Sequence, residues 1–525
     1  MVKSRPNFLI IITDQWHPRC FGYAGHPIVR TPNIDSLASG GINFSRVYSP
    51  QPLCMPTRAS LFTGLTPRGH GVRMNGIPLN PSIPTFTEAL RQSGYLTYCA
   101  GKIHLNSSNT PNDIPLENLD TNKYPESSRL WREGIIKDLP LPYYGLQEID
   151  LCNGHGHGSV GHYEAWLKSE HPDKAHLFYD RVELEKASPA KELFNRQSYK
   201  WALPAELHPT TYIADRTVNF LNNYEGRTGA QPFCAMCSFG DPHSPFAPPA
   251  PYCYDYDPAD VPPPLSREGE LDDLPTHFRA MVEQDIMTSG NKSQAMNATA
   301  PYYAECAAHY YGVISLVDEQ VGRVMNALRE NELDDNTVVI FLADHGEALG
   351  DHGLWGKGPY HYDSVIRVPF LINWPGKIDP GTVHEGVCSL LDFAPTLLDI
   401  AGVPIPEGIL PGSIEAPGAP PPWPGRSLLP VLTGEDKSTD TTALVEMDED
   451  YLGFKMRTLV TERYRLTSYS GQEYGELFDL QEDPDEYFNL WDKQEARKLR
   501  DELRIQLLDK IMQTDISLPR QLSRA

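Results

Sequence analysis

Two uninterrupted apolar runs, Asn7-Phe8-Leu9-Ile10-Ile11-Ile12-Thr13 and Thr337-Val338-Val339-Ile340-Phe341-Leu342-Ala343, constrain this chain more than anything else in it. Each has strand length, each is rich in β-branched residues, and neither alternates with polar residues, so both read as strands buried on two faces. A mainly parallel sheet covered by helices meets that condition. Each run stops on a carboxylate, Asp14 in one and Asp344 followed by His345 in the other. In open α/β sheets ligands bind at the carboxyl ends of the strands.

The intervening chain keeps a strand-helix rhythm, which makes the class α/β. Thr31 to Ala38 reads as a capped helix, and Pro84 to Arg91 opens another that stops at Gly94. Tyr95 to Ala100 is a strand delivering Gly101-Lys102-Ile103-His104, and Phe233 to Phe239 is one handing over to Gly240-Asp241-Pro242-His243. Between them Tyr212 to Asn222 is helical. Tyr302 to Asn331 repeats Val313, Val317, Val321, Val324 and Leu328 on one helical face, with Asp318 and Glu319 read as a solvated face. From 105 to 209 the periodicity weakens, as in an insertion that shapes a substrate pocket. Within it Asn153 to His162 separates His155, His157 and His162 by glycine, a backbone too free to hold zinc unaided, so a structural or substrate-facing loop is expected. Residues 402–430 form a Pro/Gly-rich linker. Beyond it, strand-like Lys455 to Val460 and Arg465 to Tyr469 and a helix Gln494 to Met512 suggest a small antiparallel sheet packed by one helix. The expected division is a catalytic domain over 1–435 and an α+β subdomain over 436–525.

With 525 residues and a formal charge of −24, the chain is not built for nucleic acid, so any anion site must be local. Neither a secretory leader nor a run long enough to span a membrane is seen. Nine cysteines, an odd number without a framework, fit a reducing compartment. The expectation is a cytoplasmic protein without membrane partners. Cys234-Ala235-Met236-Cys237 lies in a buried strand and reads as structural.

Leu53-Cys54-Met55-Pro56-Thr57-Arg58-Ala59-Ser60-Leu61-Phe62-Thr63-Gly64 reads as a loop entering a helix. Pro56 suits the first turn and Gly64 a stop. Cys54 then sits at the positive end of a helix dipole, with Arg58 one turn on. The string Cys-x-Pro-x-Arg followed by Ala-Ser-Leu-Phe-Thr-Gly resembles the signature of type I sulfatases, members of the alkaline phosphatase-like superfamily, with Thr57 where Ser is commonest. The resemblance implies a cysteine oxidised by a formylglycine-generating enzyme to formylglycine, an aldehyde hydrated to a geminal diol. One hydroxyl attacks sulfur and the other, once deprotonated, expels sulfate. A serine has no such exit. The likeness runs from Pro6 to Glu476-Leu477-Phe478-Asp479-Leu480, and the implied fold is a large, mostly parallel mixed sheet flanked by helices on both faces.

Asp14, Asp344 and His345, with an oxygen on a modified residue 54, form a hard-cation site suited to calcium, magnesium or manganese better than zinc. The resemblance implies the same four positions, with Ca2+ the usual ion and Mn2+ or Mg2+ as alternatives. Most sulfatases carry two adjacent aspartates after the first strand, whereas this chain has Asp14-Gln15, as in the subset with phosphonate monoester hydrolases and choline-sulfatase-like enzymes. Gln15 still offers an amide oxygen.

A sulfate ester gathers charge on its leaving oxygen, so its cleavage needs fixed cations and an acid. By resemblance Arg58 and Lys102 hold the hydrated aldehyde and sulfate, His104 is the base on the second hydroxyl, and His243 and Lys357 stand at the ester and leaving oxygens. The expected substrate is a small-molecule or saccharide sulfate ester. A phosphonate monoester or phosphodiester hydrolase on the same scaffold is the alternative, and the Lys102-x-His104 pair argues against it. A catalytically silent anion-binding protein is a third reading. Tyr143, Tyr144, His157, His162, Tyr163 and Trp166 are candidates for stacking on a sugar, aryl or quaternary amine group. Oligomeric state is open.

Overall fold

The computed structural model describes residues 5–111, 114–180, 198–224, 231–272, 274–284, 300–406, 423–436 and 441–515. Both apolar runs are strands, β1 (Asn7–Thr13) and β8 (Thr337–Ala343), with all seven residues of each buried. They pair in parallel at the heart of a nine-stranded sheet. On one side of β8 lie β10 (Phe370–Asn373), β2 (Ile42–Phe44) and β11 (Thr382–His384). On the other side of β1 lie β7 (Phe233–Ser238), β4 (Leu96–Gly101), β5 (Glu148–Asn153) and β6 (Val160–Gly161). Only the β10 and β6 pairings are antiparallel. A small sheet of β3 (Val47–Tyr48), β9 (Arg367–Val368) and β12 (Cys388–Ser389) lies apart from it.

The segment 105–209 is therefore not wholly an insertion. Its Glu-Ile-Asp-Leu-Cys-Asn stretch supplies β5, which pairs in parallel with β4. Its polar alternation hid a strand that only a neighbour could recruit. Residues 181–197 of the insertion and 407–422 of the linker lie outside the described residues.

Helix Ala300–Glu330 buries Val313, Leu316, Val317, Val321, Val324 and Leu328 as its periodicity predicts. Asp318 departs from the expected solvated face. It is 3 % exposed and accepts from the backbone N–H groups of Asn33 (3.1 Å) and Ile34 (2.9 Å). It thus serves the N-terminus of helix α1 (Pro32–Gly40), whose own Thr31 makes no side-chain cap. Helix starts leave N–H groups without partners, and here a second helix supplies the acceptor. Asp318→Ala is expected to lower stability by about 2 kcal/mol, read as a lower urea midpoint with an unchanged slope. An unchanged midpoint would refute the capping role.

The C-terminal chain forms β13 (Ala443–Glu449), β14 (Phe454–Val460), β15 (Tyr464–Tyr469) and β16 (Gly475–Asp479), an antiparallel meander. Leu503 and Leu507 of helix Arg497–Gln513 pack on Leu444, Leu459, Leu466 and Leu477. Two of these strands, β13 and β16, were not read from sequence. Met447, Phe454, Met456 and Tyr469 also enclose Leu53, and Glu446 N–H donates to Pro50 O at 2.8 Å. The meander thereby braces the loop that leads to Cys54.

Candidate active site

Helix α2 (Cys54–Thr63) begins at Cys54 because Leu53 is extended (φ −134°, ψ 141°) and Pro56 has no N–H to leave unpaired in the first turn. Thr57 Oγ1 bonds to Gln51 O and lies 2.8 Å from Ser49 Oγ, while Met55 N–H donates to Asn75 Oδ1 at 3.1 Å. The helix stops at Gly64, which is left-handed (φ 68°). A Cβ there would lie 2.7 Å from the Trp423 ring.

Register brings the two carboxylates together. Thr13 pairs with Ala343, so Asp14 and Asp344 leave adjacent parallel strands side by side. Asp14, Cys54, Asp344 and His345 present four ligand atoms all within 4.8 Å of one another. Cys54 Sγ is 3.3 Å from His345 Nε2 and 3.6 Å from Asp14 Oδ1. His345 Nδ1 lies 2.9 Å from Gly346 O. A carbonyl only accepts, so Nδ1 carries a proton and Nε2 is the nitrogen turned to Cys54. Two buried carboxylates with an imidazole nitrogen and residue 54 fit a divalent cation.

Arg58 ties this cluster to the neighbouring strands. Its Nε donates to Asp344 Oδ2 at 2.8 Å, Nη2 is 3.6 Å from Asp14 Oδ2, and Nη1 donates at 2.9 Å to both Lys102 O and Ser238 Oγ. Lys102 follows Gly101, whose positive φ (107°) lets β4 approach β7; a Cβ would lie 1.9 Å from Ser238 O. Lys102 Nζ forms an ion pair with Asp14 and lies 3.0 Å from His155 Nε2. Lys357 Nζ reaches Gln15 Oε1 (2.6 Å), His243 Nε2 (2.7 Å) and Cys54 Sγ (3.4 Å).

Gln15 joins the site with its amide oxygen accepting from Lys357 and its amide nitrogen donating to Glu347. His104 lies beside them, and its Nδ1 is buried without a hydrogen bond. Burial, then Lys102, Arg58 and His155, hold its pKa well below the ordinary value, so it is a neutral imidazole. Burial and Asp14 push the Cys54 thiol up, yet Lys102, Lys357 and His345 together bring it below its ordinary range.

The stacking candidates are committed elsewhere. Tyr143 donates to Glu126, Tyr144 to Leu79 O and the wholly buried Tyr163 to Leu207 O; Trp166 packs on Tyr163 and Tyr212. His162 Nδ1 accepts from Leu151 N–H and His157 Nδ1 meets Tyr199 OH. Tyr143 and Tyr144 line a cavity of about 1200 Å³, but none of the site residues does. Tyr143 and Tyr163 are buried in the insertion's core, Tyr144, His162 and Trp166 are half-buried, and His157 is exposed.

Sequence reasoning missed His155, Glu126 and Glu347 as individuals. His155 was visible only as one of three histidines in a glycine-rich loop. Its Nδ1–H donates to Gly240 O at 2.9 Å and its ring stacks on His243 at 3.6 Å and 10°. Asp14, His155 and His243 also offer three close ligand atoms. Parallel rings run their lone pairs side by side without converging, and Lys102 and Lys357 already use both Nε2 atoms, so a second ion fits poorly. Glu126, wholly buried, accepts from Leu105 N–H (3.1 Å), Asn106 N–H (2.9 Å), Tyr143 OH (2.7 Å) and Asn153 Nδ2 (2.5 Å). It holds the loop after Lys102. Glu347 accepts from Leu349 N–H (2.8 Å) and Gly356 N–H (2.5 Å) and so holds the loop before Lys357.

Residues 6–403 match the family described as Sulfatase. The chain belongs to that family. It is a type I sulfatase of the alkaline phosphatase-like superfamily, an enzyme of sulfate ester hydrolysis. Residues 350–513 match the family described as N-sulphoglucosamine sulphohydrolase, C-terminal. The sulfatase is 28 % identical to an arylsulfatase of Clostridium perfringens, over 95 % of this chain and 93 % of that one. It is 27 % identical to a choline-sulfatase of Rhizobium meliloti, covering 93 % and 83 %. The solved phosphonate monoester hydrolase of Agrobacterium radiobacter superposes with a TM-score of 0.78 at 26 % identity, covering 97 % and 96 %. Among the described residues no helix is long and apolar enough to cross a membrane.

Proposed function

We propose that this sulfatase cleaves a small-molecule or saccharide sulfate monoester with residue 54 as the nucleophile, after a formylglycine-generating enzyme has oxidised Cys54. The observation that carries the reading is the convergence of Cys54, Asp14, Asp344 and His345 at one sheet edge, with Arg58, Lys102 and Lys357 around them. Asp14, Asp344, His345 and residue 54 would hold the divalent ion, Ca2+ by the oxygen-rich donor set, with Gln15 beside them. When bound, that ion would stabilise negative charge on the nucleophile and the sulfuryl oxygens.

Lys102 and Arg58 orient the sulfuryl group. The aldehyde hydrate's first hydroxyl attacks sulfur while the ester S–O bond breaks; the departing oxygen takes a proton from the Lys357–His243 pair, which shares one across 2.7 Å, and the first hydroxyl's proton refills that pair through Lys357, 3.4 Å from the residue 54 side chain. His104, neutral and without a hydrogen bond on Nδ1, then takes the second hydroxyl's proton as sulfate leaves. Nine buried free thiols suit a reducing cytoplasm.

A comparison of aryl, choline and saccharide sulfates with aryl phosphonate monoesters on one preparation tests the reading. Sulfate turnover is expected to lead, and chelation to lower it by roughly 1000-fold with recovery on added Ca2+, Mn2+ or Mg2+. Faster phosphonate turnover would favour the alternative hydrolase, a reading supported by the TM-score of 0.78 to the phosphonate monoester hydrolase. Activity indifferent to chelation would remove the metal from the account.

A further inference from the structure

Two stacked histidines lie between the two lysines, and His155, unlike His243, takes no part in the proton transfers. Lys102 Nζ and Lys357 Nζ each donate to the Nε2 of a histidine, His155 at 3.0 Å and His243 at 2.7 Å. The two imidazoles face each other at 3.6 Å and 10°. Each has its Nδ1–H tied to a carbonyl oxygen, Gly240 O at 2.9 Å for His155 and Ser244 O at 2.6 Å for His243. Both Nε2 atoms are therefore acceptors, and both rings are neutral. Burial, then Lys102 and Lys357, hold the His155 pKa well below the ordinary range, and burial, then His155 and the two lysines, do the same for His243, in keeping with those tautomers.

We infer that His155 is a positioning residue for the sulfatase reaction: its Nε2 gives Lys102 a second fixed acceptor beside Asp14, so that the ammonium's remaining N–H is presented to a sulfuryl oxygen. An ammonium has three N–H donors. Asp14 and His155 take two of those on Lys102, which is 1 % exposed and has no water to fall back on. Without the His155 acceptor, the Asp14 carboxylate alone directs the ammonium, which can then turn about that single contact and no longer holds an N–H toward the substrate. The ring stack adds a spacer. It keeps Lys102 and Lys357 on separate acceptors, so that two like charges flank residue 54 without sharing a ligand. His155 is held for the task by Gly154, left-handed at φ 94°, and by Asn153, which accepts from Ile103 N–H at 3.0 Å and so ties the two loops together.

The inference rests on the sulfatase reading for the role of Lys102, and a double-mutant cycle tests it. His155→Phe keeps a stacked ring and removes the acceptor, whereas His155→Gln restores an acceptor without the ring. In the full-length enzyme, His155→Phe is expected to lower kcat for a sulfate ester roughly 10- to 100-fold with KM within about 3-fold. His155→Gln is expected to recover most of the loss. In a Lys102→Ala background the same His155→Phe change should alter kcat by less than about 2-fold, because its route is already gone. An equal loss in both backgrounds, or no loss with Lys102 present, would overturn the inference. The cycle is run in parallel on a phosphonate monoester. Should the parent enzyme prefer that substrate, the sulfatase reading falls, while coupling between His155 and Lys102 on it would still sustain the positioning role.

Discussion

Cys54→Ala is expected to lower sulfate ester turnover by roughly 10,000-fold or more while leaving the protein folded. The side chain is 2 % exposed at the first position of α2, and removing one sulfur atom costs about 1 kcal/mol. The loss would therefore be chemical. Cys54→Ser separates the aldehyde-hydrate route from simple nucleophilic attack. A serine hydroxyl in the same place can accept the sulfuryl group but has no second hydroxyl to expel it, so one turnover should leave a covalent sulfate ester. Intact-mass measurement after mixing with substrate would detect the heavier species. In the parent enzyme the peptide containing residue 54 should be lighter than its thiol form. Turnover that survives Cys54→Ala would remove residue 54 from the mechanism.

Arg58→Ala carries the second-largest expected effect, on stability as well as rate. The guanidinium is buried and paired with Asp344 at 2.8 Å and Asp14 at 3.6 Å. Its loss leaves the buried Asp344 without a cationic partner and Asp14 with Lys102 alone, a situation that costs about 3–5 kcal/mol when one partner of a buried pair is removed. Arg58→Lys should recover little. A single ammonium cannot span Asp344 Oδ2, Lys102 O and Ser238 Oγ, which the planar fork reaches from two different nitrogens. The deficit should be largest in chelator and should narrow in excess divalent ion, because an ion between Asp14 and Asp344 supplies part of the missing positive charge. Urea unfolding with and without chelator reads both effects. A parent-like midpoint for Arg58→Ala in chelator would mean that the two aspartates do not depend on it.

The parts of the site legible in the sequence share one property, that local pattern carried them. Asp14 and Asp344 ended apolar runs, Cys54 and Arg58 stood on a helix announced by Pro56 and Gly64, and Lys102 and His243 followed strands. Each could be assigned to a strand end or helix start from the residues beside it. Asp318 could not. Its helical position told only which face it occupied, and the acceptor it provides to Asn33 and Ile34 depends on a second helix brought to it by the fold. Glu126 is the same case more strongly. It lies in a stretch with no periodicity, yet four donors from three separate segments meet on its carboxylate. The aromatic residues of the insertion misled for the converse reason. Tyr163 and Trp166 look available in a polar stretch, but Leu207 O and Tyr212 reach them first.

The order of residues by itself determined the class of fold, the strand ends and helix start that deliver the acids, the nucleophile and the cations, and the chemistry those groups suit. Hydrophobic run length and helix punctuation are short-range properties, written within ten or so residues. Tertiary structure decided which polar atoms face one another: Gln15 toward Lys357 and Glu347, His155 against His243 and Lys102, and β5 beside β4. Those choices turn on hydrogen-bond geometry between segments far apart in the chain. A buried donor takes whichever acceptor the packing brings within about 3 Å, and no local pattern states which that will be.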